Sequence, residues 1–349
     1  MQEKTYHEQV NIENTKKLRE LLKDMPPYVT TYFRGIEHTT ATRTRIAYAI
    51  DLKNFFEFIQ ETNPLYKDKN IRDFEFKLLT ELTSVDIEEY LDYLKLYSKN
   101  DKNITNEERG IKRKLSALRS FYGYFHKNRM IDENPVLQVS MPKLHAKAIV
   151  KLDIDEVAKL LDTVESGDTL TDKQLAYFNK TKDRDLAILT LLLGTGIRVS
   201  ECVGLDMHDV DFNNDRIKIV RKGGYEAFVY FGEEVATALS SYIQLRKTLV
   251  TATGHENALF LSMQKKRMTV RSIELLVKKY ASTVTTMKKI TPHKLRSTYG
   301  TSLYRETGDI YLVADVLGHK DVNTTKKHYA ALEEERRRSA KDAVRLRET

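Results

Sequence analysis

Residues 291–304 read TPHKLRSTYGTSLY, and the opening letters fix how the surrounding chain folds. Thr291 suits a helix N-cap, and Pro292 suits the first helical position, where its missing N–H and fixed φ cost nothing. A helix starting there carries His293 and Arg296 three apart on one face, near the positive end of the dipole. From Arg271 to Thr349 the pattern stays helical, and upstream an apolar run at Leu186–Leu193 has the length of a buried helix. One interruption reads differently. Ile217 and Ile219, then Phe228 and Tyr230, alternate on either side of Lys222-Gly223-Gly224, predicting a β-hairpin over Arg216–Arg221 and Tyr225–Phe231. The fold class expected is mainly α, with a small β-hairpin sheet in the second half.

Three further segments concentrate unusual residues. Gly194-Thr195-Gly196-Ile197-Arg198-Val199-Ser200-Glu201 ends one helix at its glycines and starts another near Arg198. That places a guanidinium beside backbone N–H groups that favour an anion, with Glu201 in reach to orient it. Lys222 occupies the tight Gly-Gly turn, from which it can swing over a bound polymer. In LGHKDVNTTKKHYA, residues 317–330, Gly318 suits a C-cap with His319 just beyond, and Asn323-Thr324-Thr325 caps a helix carrying Tyr329. Each segment also has an ordinary structural use: an Arg–Glu pair, a solvated turn lysine, a helix start. Taken together they describe phosphoryl transfer without metal. Arginines fork onto non-bridging oxygens, and histidines donate to the charged transition state. A lysine protonates the leaving oxygen. A phenol, with a pKa of about 10, attacks and leaves again more easily than an alkoxide, so the cut stays reversible without ATP. His293, His319 and His328 have no metal-ligand spacing and no nearby carboxylate or cysteine cluster, and no P-loop is present. No metal and no cofactor are therefore expected.

In this order the four segments GTGIRVSE, RKGG, TPHKLRSTYGTSLY and LGHKDVNTTKKHYA resemble the tyrosine recombinases, the phage-integrase-like family. In architecture the chain looks most like the compact Xer-type members. The resemblance implies that Arg198 and Arg296 clamp the phosphate and that Lys222 is the general acid. It makes His293 and His319 supporting donors, Tyr329 the nucleophile and Glu201 the acidic residue that orients the site. It also implies a homotetramer acting on two DNA sites through a Holliday junction and a 3′-phosphotyrosine link. The tail EEERRRSAKDAVRLRET, residues 333–349, has Ala340, Ala343, Val344 and Leu346 on one side and would be the helix exchanged between protomers. Two positions depart from the Xer pattern. Ser297 stands where Xer-type proteins usually have histidine, and the interval from His319 to Tyr329 is one residue longer, putting His328 at the strict tyrosine position.

The first half reads as helices throughout. Apolar residues recur at helical spacing over Thr30–Phe33 and Thr39–Phe58, Thr83 and Asp86 form a cap before another helix, and a further helix runs from Asn106 to Lys127. Its segments PPYVTTYF and SALRSFYGYF look like the family's helical, SAM-like core-binding domain. Arg43, Arg45, Lys53, Lys112, Arg113 and Arg119 recur on successive helices and are candidate phosphate contacts. Pro135, Pro142 and the aperiodic PKLHAKAIV mark a boundary. The expected division is a DNA-binding domain over 1–134, a linker over 135–150 and a catalytic domain over 151–349. Nothing in front of the first domain is long enough for the separate arm-binding domain of some phage integrases.

Composition agrees. Fourteen glycines, six prolines and no tryptophan in 349 residues suit long helices. A net charge of +8 favours a polyanionic partner such as duplex DNA. The single cysteine excludes an internal disulfide, the polar start MQEKTYHEQV lacks a signal-peptide core, and no apolar run spans a bilayer, so a cytoplasmic protein is expected. Two other readings use the same scaffold: a catalytically silent DNA-binding or architectural protein, and a type IB topoisomerase-like relaxing enzyme. Two roles stay open, chromosome dimer resolution and mobile-element integration or excision. The His319–Tyr329 interval, similar to that of many mobile-element integrases, leans toward the second. An accessory or cell-division protein is a further partner the resemblance allows.

Overall fold

The computed structural model describes residues 5–145, 149–168, 171–221, 223–319, 321–322 and 326. The chain divides into two compact units, 1–147 and 148–349.

The first unit is helical: α1 (Tyr6–Leu22), α2 (Pro27–Gly35), α3 (Thr42–Thr62), α4 (Leu78–Glu81), α5 (Ser84–Tyr93), α6 (Glu108–Lys127) and α7 (Pro135–Gln138). Helix α5 begins as its sequence requires, with the Thr83 backbone N–H donating to Asp86 Oδ2 at 2.7 Å. The core is unusually aromatic. Tyr32, Phe55, Phe56, Phe121 and Phe125 are buried, and the Tyr32 and Phe121 rings meet edge-on with centroids 5.2 Å apart, the geometry ring quadrupoles favour.

Two features depart from the sequence reading. Strands β1 (Tyr97–Lys99) and β2 (Lys102–Ile104) form an antiparallel hairpin inside the half expected to be all helix. Its turn residues Asn100 and Asp101 both adopt positive φ, which these two residue types tolerate. The linker also starts later than expected. Pro135–Gln138 is helical, and Val136 and Val139 are buried in the first unit's core, held by Arg119 Nη2 donating to Val139 O at 2.6 Å.

The second unit contains α8 (Ile154–Ser166), α9 (Asp172–Thr195), α10 (Val199–Gly204), α11 (Glu233–Thr248), α12 (Val270–Val284), α13 (Pro292–Thr307) and α14 (Ile310–Leu317). Strands β3 (Val210–Asp211), β4 (Arg216–Val220) and β5 (Glu226–Tyr230) make one antiparallel sheet in the order β3-β4-β5. The predicted hairpin is there, with Ile217 opposite Val229 and both buried. Helix α9 is the spine. Its Ala187, Ile188, Leu189, Leu191 and Leu192 are all completely buried, and α11 and α13 pack against it. Each large aliphatic side chain removed from water in this way contributes about 1.5–3 kcal/mol. Among the described residues no helix is long and apolar enough to cross a membrane.

Candidate active site

The short helix α14 organises the site. Asp309 caps its start by accepting from the backbone N–H groups of Tyr311 and Leu312, at 2.8 and 3.1 Å. Gly318 ends it with φ 60, a left-handed turn that suits glycine. The backbone N–H groups of Gly318 and His319 fold back to the carbonyls of Asp315 and Ala314, at 2.7 and 2.9 Å. A helix end leaves carbonyls that the backbone cannot satisfy, and here the next three are still to be accounted for.

Three arginines take them. Arg221 Nη2 donates to Val316 O at 3.0 Å, Arg296 Nη2 to Leu317 O, and Arg198 Nη2 to Gly318 O at 3.2 Å. The guanidiniums come from the end of β4, from α13 and from the start of α10. Arg296 is 4% exposed, and its Nη1 also donates to Gly196 O at 2.7 Å. Gly196, with φ 62, carries no Cβ, and that space is filled by Tyr299 of α13 and Leu317 of α14. The Gly194–Glu201 turn is therefore pressed directly onto α13 and α14. Glu201 is buried and holds Arg198 twice, accepting from its backbone N–H at 2.7 Å and from Nη1 at 2.8 Å. The far end of α10 is fixed by Arg267, whose Nη1 donates to the carbonyls of Val203 and Leu205 at 3.0 and 2.7 Å.

His319 follows the capping glycine and is half-buried. His293 lies one turn before Arg296 on α13. Its pKa is lowered, first by partial burial and then by the positive charges of Lys294, Arg296 and Arg198. The structure thus brings Arg198, Glu201, Arg296, His293 and His319 together. Lys222, Tyr329 and the tail 333–349 lie outside the described residues. Arg221 was not singled out from sequence. The signal available was a second cation directly before Lys222-Gly223-Gly224, with its partner 95 residues away. One group of possible metal ligands occurs among the described residues, Asp206, His208 and Asp209, just beyond the end of α10, but Asp206 is paired with Arg267 and Asp209 lies 3.8 Å from Lys218.

The basic residues of the first unit divide. Arg43 is exposed, and Lys53 and Lys112 are half-exposed. Arg45 is 7% exposed, with Nη1 on Glu37 Oε1 at 2.9 Å, so its charge is matched inside the fold. Arg113 is paired with the buried Asp51, and Arg119 grips Val139 O. For Arg45 and Arg119 the expectation of a phosphate contact gives way to a structural use, because their donors are aimed into the protein.

Residues 151–336 match the phage integrase family. The chain belongs to that family. It is a tyrosine recombinase of the Xer type, with relatives that cover most of its length. It is 32% identical to tyrosine recombinase XerC of Caldanaerobacter subterraneus subsp. tengcongensis over 304 residues, 84% of this chain and 79% of that one. It is 30% identical to tyrosine recombinase XerS of Lactococcus lactis subsp. cremoris over 350 residues, covering 93% and 97%. The fold is similar to that of the XerH recombinase in a post-cleavage complex with a palindromic difH substrate, with TM-score 0.65 at 17% identity over 94% of this chain and 89% of that one. It is also similar to the Tn1549 transposon integrase in complex with circular intermediate DNA, with TM-score 0.61 at 20% identity, covering 88% and 98%. The mainly helical tyrosine recombinase fold and the site-specific recombinase class expected from the four motifs are both borne out.

Proposed function

We propose that this recombinase cuts and rejoins duplex DNA at a specific site through a 3′-phosphotyrosine at Tyr329. Arg198 and Arg296 hold the non-bridging oxygens of the scissile phosphate, Glu201 orients Arg198, and His293 and His319 donate to the charge that builds on phosphorus. The Tyr329 oxygen bonds to phosphorus as the P–O5′ bond breaks. Lys222 gives its proton to the departing O5′, and the phenol's own proton passes to a histidine of the site. Rejoining is the same step run backwards with the 5′-hydroxyl of a new strand. Four protomers on two sites, exchanging strands through a Holliday junction and trading the tail 333–349, complete the reaction. DNA as the partner is supported by the recombinase complexes of similar fold.

One observation carries this reading. Arg198 and Arg296, 98 positions apart in the chain, meet on the adjacent carbonyls of Gly318 and Leu317, directly before His319. Folding has brought together the cations that the phosphate needs, at the segment that leads to Tyr329.

The test uses a library of nicked duplex suicide substrates, incubated without divalent metal and boiled in SDS. A protein–DNA adduct is expected from the wild type and none from Tyr329→Phe, and sequencing the trapped DNA gives the site. An adduct that survives in Tyr329→Phe would sink the assignment of the nucleophile.

A further inference from the structure

Among the three guanidiniums on the end of α14, Arg221 is the one with no place in the chemistry above. Its backbone is part of the hairpin: its N–H donates to Tyr225 O at 2.7 Å, and its carbonyl accepts from Gly224 N at 3.0 Å. Its side chain leaves the hairpin and reaches the other end of the domain's sequence, donating through Nη2 to Val316 O. The guanidinium then packs against Gly318, so closely that any Cβ at that position would overlap it. Among the described residues Nη1 is buried there without a hydrogen-bond partner. A buried, unpaired guanidinium N–H costs free energy, so the contact is held for something other than its own hydrogen bonds.

Its neighbours indicate what that is. Val316, Leu317 and Gly318 are consecutive, and Arg296 and Arg198 hold the second and third. Without Arg221 the first carbonyl loses this donor, and Gly318, a residue in left-handed turn geometry, loses the guanidinium packed against it. The two phosphate-clamping arginines and His319 are all referenced to this same turn. We propose that Arg221 is a positioning residue: its contact with Val316 and Gly318 fixes the 316–319 turn, and through it the placing of Arg198, Arg296 and His319 around the scissile phosphate. This rests on the phosphoryl-transfer reading above, and it adds a residue that touches no substrate.

The experiment compares wild type, Arg221→Ala and Arg221→Lys in single-turnover cleavage of a nicked suicide duplex of the trapped sequence. Each is run with the ordinary bridging oxygen and with sulfur at the 5′-bridging position, whose thiolate leaves without protonation. Arg221→Ala should bind the duplex as wild type does and cleave about 100-fold more slowly, the scale of a reacting group displaced by about 1 Å. Arg221→Lys should recover part of the loss, since one ammonium reaches Val316 O but lacks the guanidinium fork that packs against Gly318. The defect should be equal for oxygen and sulfur. Full recovery with sulfur would assign Arg221 to leaving-group protonation through the adjacent Lys222 and overturn the proposal, as would unimpaired cleavage of both substrates. A second readout needs no cleavage. Amide hydrogen exchange at residues 316–319 should accelerate in Arg221→Ala while exchange in α9 does not. Unchanged exchange at 316–319 would also overturn it, and loss of the Tyr329-dependent adduct in wild type alone would count against the parent reading.

Discussion

Two small groups of arginines, one in each unit, are used in opposite ways. In the first unit Arg45 meets Glu37 and Arg113 meets Asp51, so each guanidinium faces a carboxylate that cancels its charge. In the second, Arg198, Arg221 and Arg296 converge on three successive backbone carbonyls, with Glu201 as the carboxylate paired to Arg198. A carbonyl fixes a guanidinium in place without cancelling its charge. The first arrangement holds a fold together, and the second keeps positive charge concentrated and rigid. A site built to receive a phosphate needs the second kind, because cations that must reorganise at the moment of reaction stabilise a transition state less. Counting basic residues does not separate the two. What each guanidinium touches does.

The comparison breaks most visibly if Arg296 proves dispensable. Arg296→Ala should lower single-turnover cleavage by about 10³-fold. It should also lower unfolding free energy by about 2–4 kcal/mol, because Gly196 O and Leu317 O lose a buried donor. Guanidinium titration and the SDS-adduct assay read the two effects separately. Arg198→Ala sharpens the contrast. Its side chain is a third exposed, so its stability effect should be smaller, about 1–2 kcal/mol, arising mainly from the buried Glu201 left uncompensated. Adding Glu201→Gln should restore much of that stability and none of the cleavage. A double variant that cleaves would mean the charge at Arg198 is not used on phosphate.

Much of this site was legible in the sequence, for a local reason in each case. The Thr291-Pro292 start fixes His293 and Arg296 on α13, the glycines at 194 and 196 end α9 where Arg198 begins α10, and Gly318 caps α14 before His319. All of these are signals read within four residues. What stayed hidden depends on contacts across the chain. Arg45 reads as a surface cation until Glu37 folds against it from the preceding turn, and Arg119 until residue 139 returns to α6. Arg221 reads as a turn residue because its partner is 95 positions away. The β1–β2 hairpin escaped for a different reason: its strands YSK and KNI are three residues long and polar, too short to show alternation, although Asn100-Asp101 is a fair hairpin turn.

The first unit offers a finer test, through the salt dependence of duplex binding. If exposed cations there contact phosphates, Arg43→Ala and Lys112→Ala should each reduce the slope of log K against log salt by about one. Arg45→Met should leave that slope alone and lower stability by about 1 kcal/mol, the scale of a hydrogen-bonded pair with one exposed partner. A slope that responds to Arg45 and not to Arg43 would reverse the division between structural and available cations.

The smallest effect is at His293, and it reports directly on the concentration of charge. Partial burial and the cations Lys294, Arg296 and Arg198 disfavour its protonated form, so its folded pKa lies below the ordinary histidine value. As pH falls through that ordinary value, the unfolded chain takes up a proton that the folded chain still refuses. Stability should therefore decline over the interval between the two pKa values and level off below the folded one. His293→Gln should flatten that decline, and histidine NMR titration should show the resonance moving back toward the ordinary range in Lys294→Gln. Bound DNA sharpens the point. A phosphate between Arg198 and Arg296 adds negative charge beside the imidazole and should raise its pKa above that of the free protein. A His293 pKa indifferent to both Lys294→Gln and DNA would mean the ring does not share the field of the two arginines, and the concentrated positive charge would not extend to the start of α13.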